Sequence, residues 1–314
     1  MKRMYAGLIM LLLVVLSGCQ QGEKERGFGQ GEGGEKTFIG GTSGLLIKFT
    51  EQRPPVDVFA GGEDPFDVEV SVSNDGEFDI TKDDVIVVLT GIDPEEFSKV
   101  QADFVKGPEA DLEGRHLDFD GNVIESLPQY VVFENLNRVD PVIGSLQFPV
   151  VIEACYAYGT RAVSRLCYKE DQRVAGGVCE VNEEKPSTSS GSPVQIVEFQ
   201  QAAISKDAFA FSFKIEHKAN GQIYKPGECS ERQNLNKVFV KVDTGSEGLT
   251  CSGLRDGSSP GQGMLDLREG SAIVRCRQDV RESIRGAFVK PVSVEATFNY
   301  KDSVQTQINV KHTE

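Results

Sequence analysis

Cysteines carry the clearest chemistry in this sequence. Six of them fall into two groups of three: Cys155, Cys167 and Cys179, then Cys229, Cys251 and Cys276. An even number of thiols in an exported chain reads as three disulfides. Zinc does not suit the spacing, because no CxxC pair occurs and His116, His217 and His312 lie far apart in sequence. No metal is expected on these residues. Three is odd, so if all six are oxidised at least one bond must join the groups. Short connections favour Cys167 with Cys179 and Cys251 with Cys276, which leaves Cys155 with Cys229 as the joining bond. The alternative is a free thiol in each group, or a bond to another chain.

Other reactive constellations are weaker. Nucleophilic hydrolysis needs a serine or cysteine with a base and an orienting group, and the sequence points to no such set. His217 ends an alternating stripe and reads as a strand-end residue rather than a base. With 48 acidic residues, carboxylate pairs arise by chance and point to no glycosidase. There is no Walker loop, and the Gly-rich segment that holds Gly29, Gly31 and Gly34 is the tether and follows no strand, so no nucleotide cofactor is expected. Asp118-Phe119-Asp120-Gly121-Asn122 starts like a calcium loop, but its glycine comes at the fourth position instead of the sixth. A turn is the preferred reading there, and likewise for Gly62 to Asp67 and Asn74 to Glu77.

The first twenty residues address the chain. Lys2 and Arg3 precede an apolar run from Tyr5 to Leu16, then Leu16-Ser17-Gly18-Cys19. A charged start, a short apolar stretch and small residues make a secretory signal. The run is too short to span a bilayer, which takes about 20 residues. Leu16 to Cys19 resembles the lipobox of secreted lipoproteins. That resemblance implies cleavage before Cys19 and acylation (palmitate or similar) of its thiol and new amine. One acyl chain binds reversibly and a second makes attachment stable; lipobox cysteines usually carry more than one.

Net charge is −15. Such a surface repels phosphate backbones and is no polybasic patch, so nucleic acid is excluded as a partner and the lipid must do the anchoring. Residues 19–42, rich in Gly and Glu, cannot bury enough apolar surface to offset their entropy and read as a flexible tether. Asn182 to Ser192 reads as a linker. The expected divisions are therefore a signal (1–18), a tether (19–42), a first domain (43–181), a linker (182–192) and a second domain (193–314).

Both domains alternate with period two. Phe66, Val68, Val70 and Val72 form one strand, and Val85 to Thr90 another that is apolar on both faces and so central. Leu146 to Ala157 and Arg161 to Tyr168 flank Tyr158-Gly159-Thr160, which predicts a hairpin. In the second domain Phe209, Phe211, Phe213 and Ile215 share one sheet face, read as core rather than a ligand platform. Asn220-Gly221 signals a hairpin turn. Val292 to Tyr300 and Val304 to Val310 form a terminal hairpin around Lys301-Asp302-Ser303. Pro94 to Val100 and Gln278 to Ala287 hint at short helices.

The expected fold class is all-β: two β-sandwich domains behind a signal and tether. The strand ending in Asn74-Asp75-Gly76 and the Val85 to Gly91 run resemble the immunoglobulin-like, CARDB-type modules of prokaryotic surface proteins. Cys155 to Thr160 followed by Cys167 resembles archaeal surface proteins. These resemblances imply a lipid-anchored envelope protein on the extracytoplasmic side. Its role would be structural, adhesive or partner-binding, its partners the membrane and other envelope proteins or surface polymers, and it would not be an enzyme. The alternatives are a solute-binding lipoprotein of a transporter, whose two α/β lobes would need helices, and a metal- or carboxylate-dependent extracellular hydrolase.

Overall fold

A computed structural model describes residues 37–227, 229–280 and 285–312. The signal, Cys19 and the tether as far as residue 36 lie outside the described residues. Contacts divide the chain into Met1–Gly33 and one compact unit, Gly34–Glu314, to which all described residues belong.

The described fold is all-β. In chain order its strands are β1 (Leu45–Phe49), β2 (Asp57–Phe59), β3 (Phe66–Asn74), β4 (Val85–Thr90), β5 (Val105–Lys106), β6 (His116–Leu117), β7 (Val123–Ile124), β8 (Gln129–Leu136), β9 (Ser145–Lys169) and β10 (Glu183–Lys185). They continue with β11 (Ser187–Ser189), β12 (Val194–Ser205), β13 (Ala208–His217), β14 (Gln222–Tyr224), β15 (Lys237–Asp243), β16 (Leu249–Ser252), β17 (Gln262–Asp266), β18 (Ser271–Asp279) and β19 (Ala287–Lys311). Among the described residues helical structure is limited to 3-10 turns, one of them Glu95–Phe97 inside the expected Pro94 to Val100 turn. The helix expected over Gln278 to Ala287 is not borne out at its ends, which belong to β18 and β19; residues 281–284 lie outside the described residues.

Two strands of 25 residues organise everything else. β9 and β19 pair antiparallel along their whole length, from Ser145 opposite Lys311 to Lys169 opposite Ala287, without a register shift. At ~3.3 Å per residue this ribbon is about 80 Å long. It carries a nine-stranded sheet, β17-β15-β19-β9-β4-β5, with β11, β14 and β2 attached beside it. Even-numbered residues of both strands are buried through most of the ribbon, from Val150 to Tyr168 and from Val292 to Tyr300. They mark one inner face.

Two smaller sheets cover that face. The order β1-β3-β8 makes one, and β10-β12-β13-β18-β16 the other. Phe97 stands edge-on to both Phe66 of β3 and Phe148 of β9, with ring centroids at 6.0 and 5.8 Å. Toward the other end Tyr168 of β9 meets Phe209 of β13 at 5.0 Å. The Gln201 side chain of β12 takes the Cys167 amide at 2.9 Å and donates to its carbonyl at 2.8 Å. Phe209, Phe211, Phe213 and Ile215 are all buried here, so the stripe is core.

Three expectations about connections need correction. Tyr158-Gly159-Thr160 is not a hairpin turn but the middle of β9. Gly159 has a different use: a Cβ there would run into the Phe78 ring, which lies across the strand. Lys301-Asp302-Ser303 likewise continues β19, and Lys301 pairs with Glu153 of β9 at 2.7 Å. Asn220-Gly221 does turn the chain, but it leads from β13 in one sheet to β14, which pairs with Tyr300 in the other.

The domain boundary also differs from the sequence reading. Residues 182–192 contain β10 and β11, which pair with β12 and β9, and Lys185, Ser190 and Ser192 are buried. Strands from both expected domains share the nine-stranded sheet. The last residues of the expected tether are docked as well. Ile39 and Gly40 donate their amides to the Glu77 carboxylate, each at 2.8 Å.

Candidate functional site

A groove of about 570 Å³ opens on the outer face of the long sheet. Its floor comes from alternation. On β9, Glu153, Cys155 and Ala157 point away from the core; on β19, Thr297, Asn299 and Lys301 do the same beside them. On β4, Ile86 lies opposite Cys155 and Val88 opposite Glu153, which extends the floor with aliphatic surface. Ile86 is half exposed, unusual for an isoleucine in a strand paired along its length.

Two segments wall the groove. One is Pro226 and Gly227 with Cys229 and Ser230, tied down by the Cys155–Cys229 disulfide and by the Gly227 amide, which donates to Asn299 Oδ1 at 2.7 Å. Asn299 itself is buried, with Nδ2 at 3.7 Å from Cys155 Sγ. The other wall is Phe78 with Asp83 and Asp84 from the 3-10 turn Lys82–Asp84. Thr81 Oγ1 donates to Asp84 at 2.8 Å and fixes that turn. The cavity is thus an aliphatic floor with carboxylates at the rim, and its lysine is already paired with Glu153. Such a lining suits a ligand with an apolar body and a basic group.

The structure pairs all six cysteines as the connection lengths favoured: Cys155–Cys229, Cys167–Cys179 and Cys251–Cys276. Only the first borders the groove. Cys251 and Cys276 face each other across β16 and β18, with Cα atoms 4.0 Å apart. Cys167–Cys179 closes a loop that Lys169 also holds, through Nζ to the Val174 and Gly176 carbonyls at 2.8 and 2.7 Å.

The three histidines stay apart, on β6, at the end of β13 and after β19. His217 Nε2 lies 2.9 Å from the Tyr300 hydroxyl, which also accepts the Gly221 amide at 2.8 Å. The Tyr300 hydroxyl can donate to Nε2 when the imidazole is neutral and carries its proton on Nδ1. Burial lowers the His217 pKa and supports the neutral form.

The acidic turns use their oxygens internally. Asp118 Oδ1 accepts the amides of Asp120 and Asn122 at 2.9 and 2.8 Å, closing the β6–β7 hairpin. Asn74 is buried and its Oδ1 accepts the Tyr158 hydroxyl at 2.9 Å. Asp67 accepts the Asn135 amide at 2.8 Å. Among the described residues no three His, Cys, Asp or Glu side chains gather to hold a metal ion.

Fold and groove define a disulfide-bonded all-β protein with an open cleft on one sheet face. No protein-family model matches the chain, and a comparison with the curated proteins found no match.

Proposed function

We propose that this chain is a lipid-anchored protein of the cell envelope, extracytoplasmic, with a structural, adhesive or partner-binding role. Its two smaller sheets make sandwich-like halves with the long sheet, in keeping with the immunoglobulin-like resemblance. The observation that carries the reading is the groove on the undivided ribbon. A cleft on regular strands, braced by a disulfide, keeps its shape without a ligand, and preorganisation of that kind favours binding. Its partner is an envelope protein or surface polymer that offers an apolar segment with a basic group. Two substitutions test the two halves of the reading. Cys19→Ala releases the protein from membranes or leaves it uncleaved. Ala157→Phe fills the groove floor, and the envelope partner captured by the intact lipoprotein is lost. A Cys19→Ala protein that is processed and stays membrane-bound refutes the anchor; a partner kept by Ala157→Phe refutes the groove.

A further inference from the structure

We propose that the β6–β7 hairpin rests on the neutral headgroup surface of the bilayer that holds the N-terminus, an inference that builds on the lipid-anchor reading. Five large apolar or aromatic side chains are exposed between Phe119 and Tyr130: Phe119, Val123, Ile124, Leu127 and Tyr130. Phe119 is the most exposed hydrophobic residue described, at 110%. It sits at the tip of a turn that Asp118 makes rigid, with its carboxylate on two amides and on Asn122 Nδ2 at 3.0 Å. Gly121 donates its amide to the Asp118 carbonyl at 3.0 Å. The aromatic tip is thus presented at little entropic cost on contact. Aromatic and aliphatic side chains of this kind partition into the boundary between headgroups and acyl chains.

The course of the chain selects a membrane as the occupant. Residues 1–36 precede the described structure, and the chain enters it beside this hairpin. A Cβ on Gly41 would lie 3.7 Å from the guanidinium of Arg115, the residue that leads into β6. Arg115 is held in place by Asp75 at 3.5 Å and through its amide by the Gly76 carbonyl at 2.7 Å. An acylated Cys19 would keep this surface within a tether's length of lipid. Asp118, Asp120 and Glu125 flank the apolar residues, so the surface suits neutral headgroups better than anionic ones.

The sequence contains no tryptophan, so Phe119→Trp installs a single reporter at an exposed site. A chain starting at Gln20 keeps every contact described above and carries no anchor. With phosphatidylcholine vesicles its emission shifts to the blue and is quenched by brominated acyl chains, with a smaller shift on phosphatidylglycerol. Ile143→Trp is the control. Ile143 is fully exposed, precedes β9 and lies about 40 Å along that strand from Tyr158, the neighbour of Asn74; its emission stays unchanged. No shift at Phe119→Trp, or an equal shift at Ile143→Trp, overturns the proposal. Neither result bears on lipidation, which the Cys19→Ala release assay decides by itself.

Discussion

Glu77 joins three segments that are far apart in the chain. Its carboxylate accepts amides from Ile39, Gly40 and Gly191, and its own amide donates to the Gly191 carbonyl at 2.9 Å. A charged acceptor serving several amides is worth more than a neutral one. Glu77→Gln is expected to cost about 1.5–3 kcal/mol, read as a lower urea midpoint with an unchanged slope. His217 gives a pH signature. Its folded pKa lies below the ordinary value because burial opposes the charge. As pH falls, the unfolded chain takes the proton first, so the stability present above the usual histidine range is lost as pH falls through the depressed value. Melting temperatures of the natural protein and His217→Gln should therefore converge as pH falls from neutral through the histidine range. A constant difference would show that His217 is not held neutral.

Among the elements, β13 places Phe209, Phe211, Phe213 and Ile215 inward, where Phe213 stacks on Phe199 of β12 at 5.2 Å. Only the other side of this strand meets solvent, at Ser212 and Lys214. Phe211→Ala is expected to cost about 3–5 kcal/mol, and Ser212→Ala less than about 0.5 kcal/mol. Thermal melts of the two variants check this; equal small shifts would mean that the stripe is not core. Alternation of apolar and polar residues makes this strand legible in the sequence. It makes β9 and β19 legible too, but as four strands instead of two. Tyr-Gly-Thr and Lys-Asp-Ser are turn-like compositions, and what keeps them extended is supplied from elsewhere. Phe78 occupies the space over Gly159, and Glu153 reaches Lys301 from the partner strand.

On the scale of the molecule, the shared sheet sets cooperativity. β4 and β5 from one half and β15 and β17 from the other attach to the same ribbon. The Tyr156, Tyr158 and Tyr300 rings, all buried, pack near the ribbon's midpoint; Tyr156 lies 5.6 and 5.8 Å from the other two. Their hydroxyls reach both smaller sheets: Tyr156 accepts the Leu45 amide of β1 at 3.1 Å, while Tyr300 meets His217 of β13. Calorimetry of the oxidised protein should give a single transition whose calorimetric and van't Hoff enthalpies agree. Two separated transitions would restore the picture of independent domains.

The groove had one sequence signal, the arithmetic that made a cysteine of the first group bond to one of the second. Its other parts had none, because Ile86, Ala157 and Asn299 meet only through strand register, and Phe78 reaches them from the turn after β3. Local alternation and composition determined by themselves that this protein is all-β, which side chains face inward on most strands, and that at least one disulfide joins its halves if all six cysteines are oxidised. Those are properties of nearest neighbours in the chain and of counting. Tertiary structure alone decided that the strands run unbroken for 25 residues, that residues 182–192 pair instead of linking, and that the halves share a sheet. Each of these depends on contacts between residues dozens of positions apart, and a turn-like triplet stays extended when a long register on both sides satisfies its backbone.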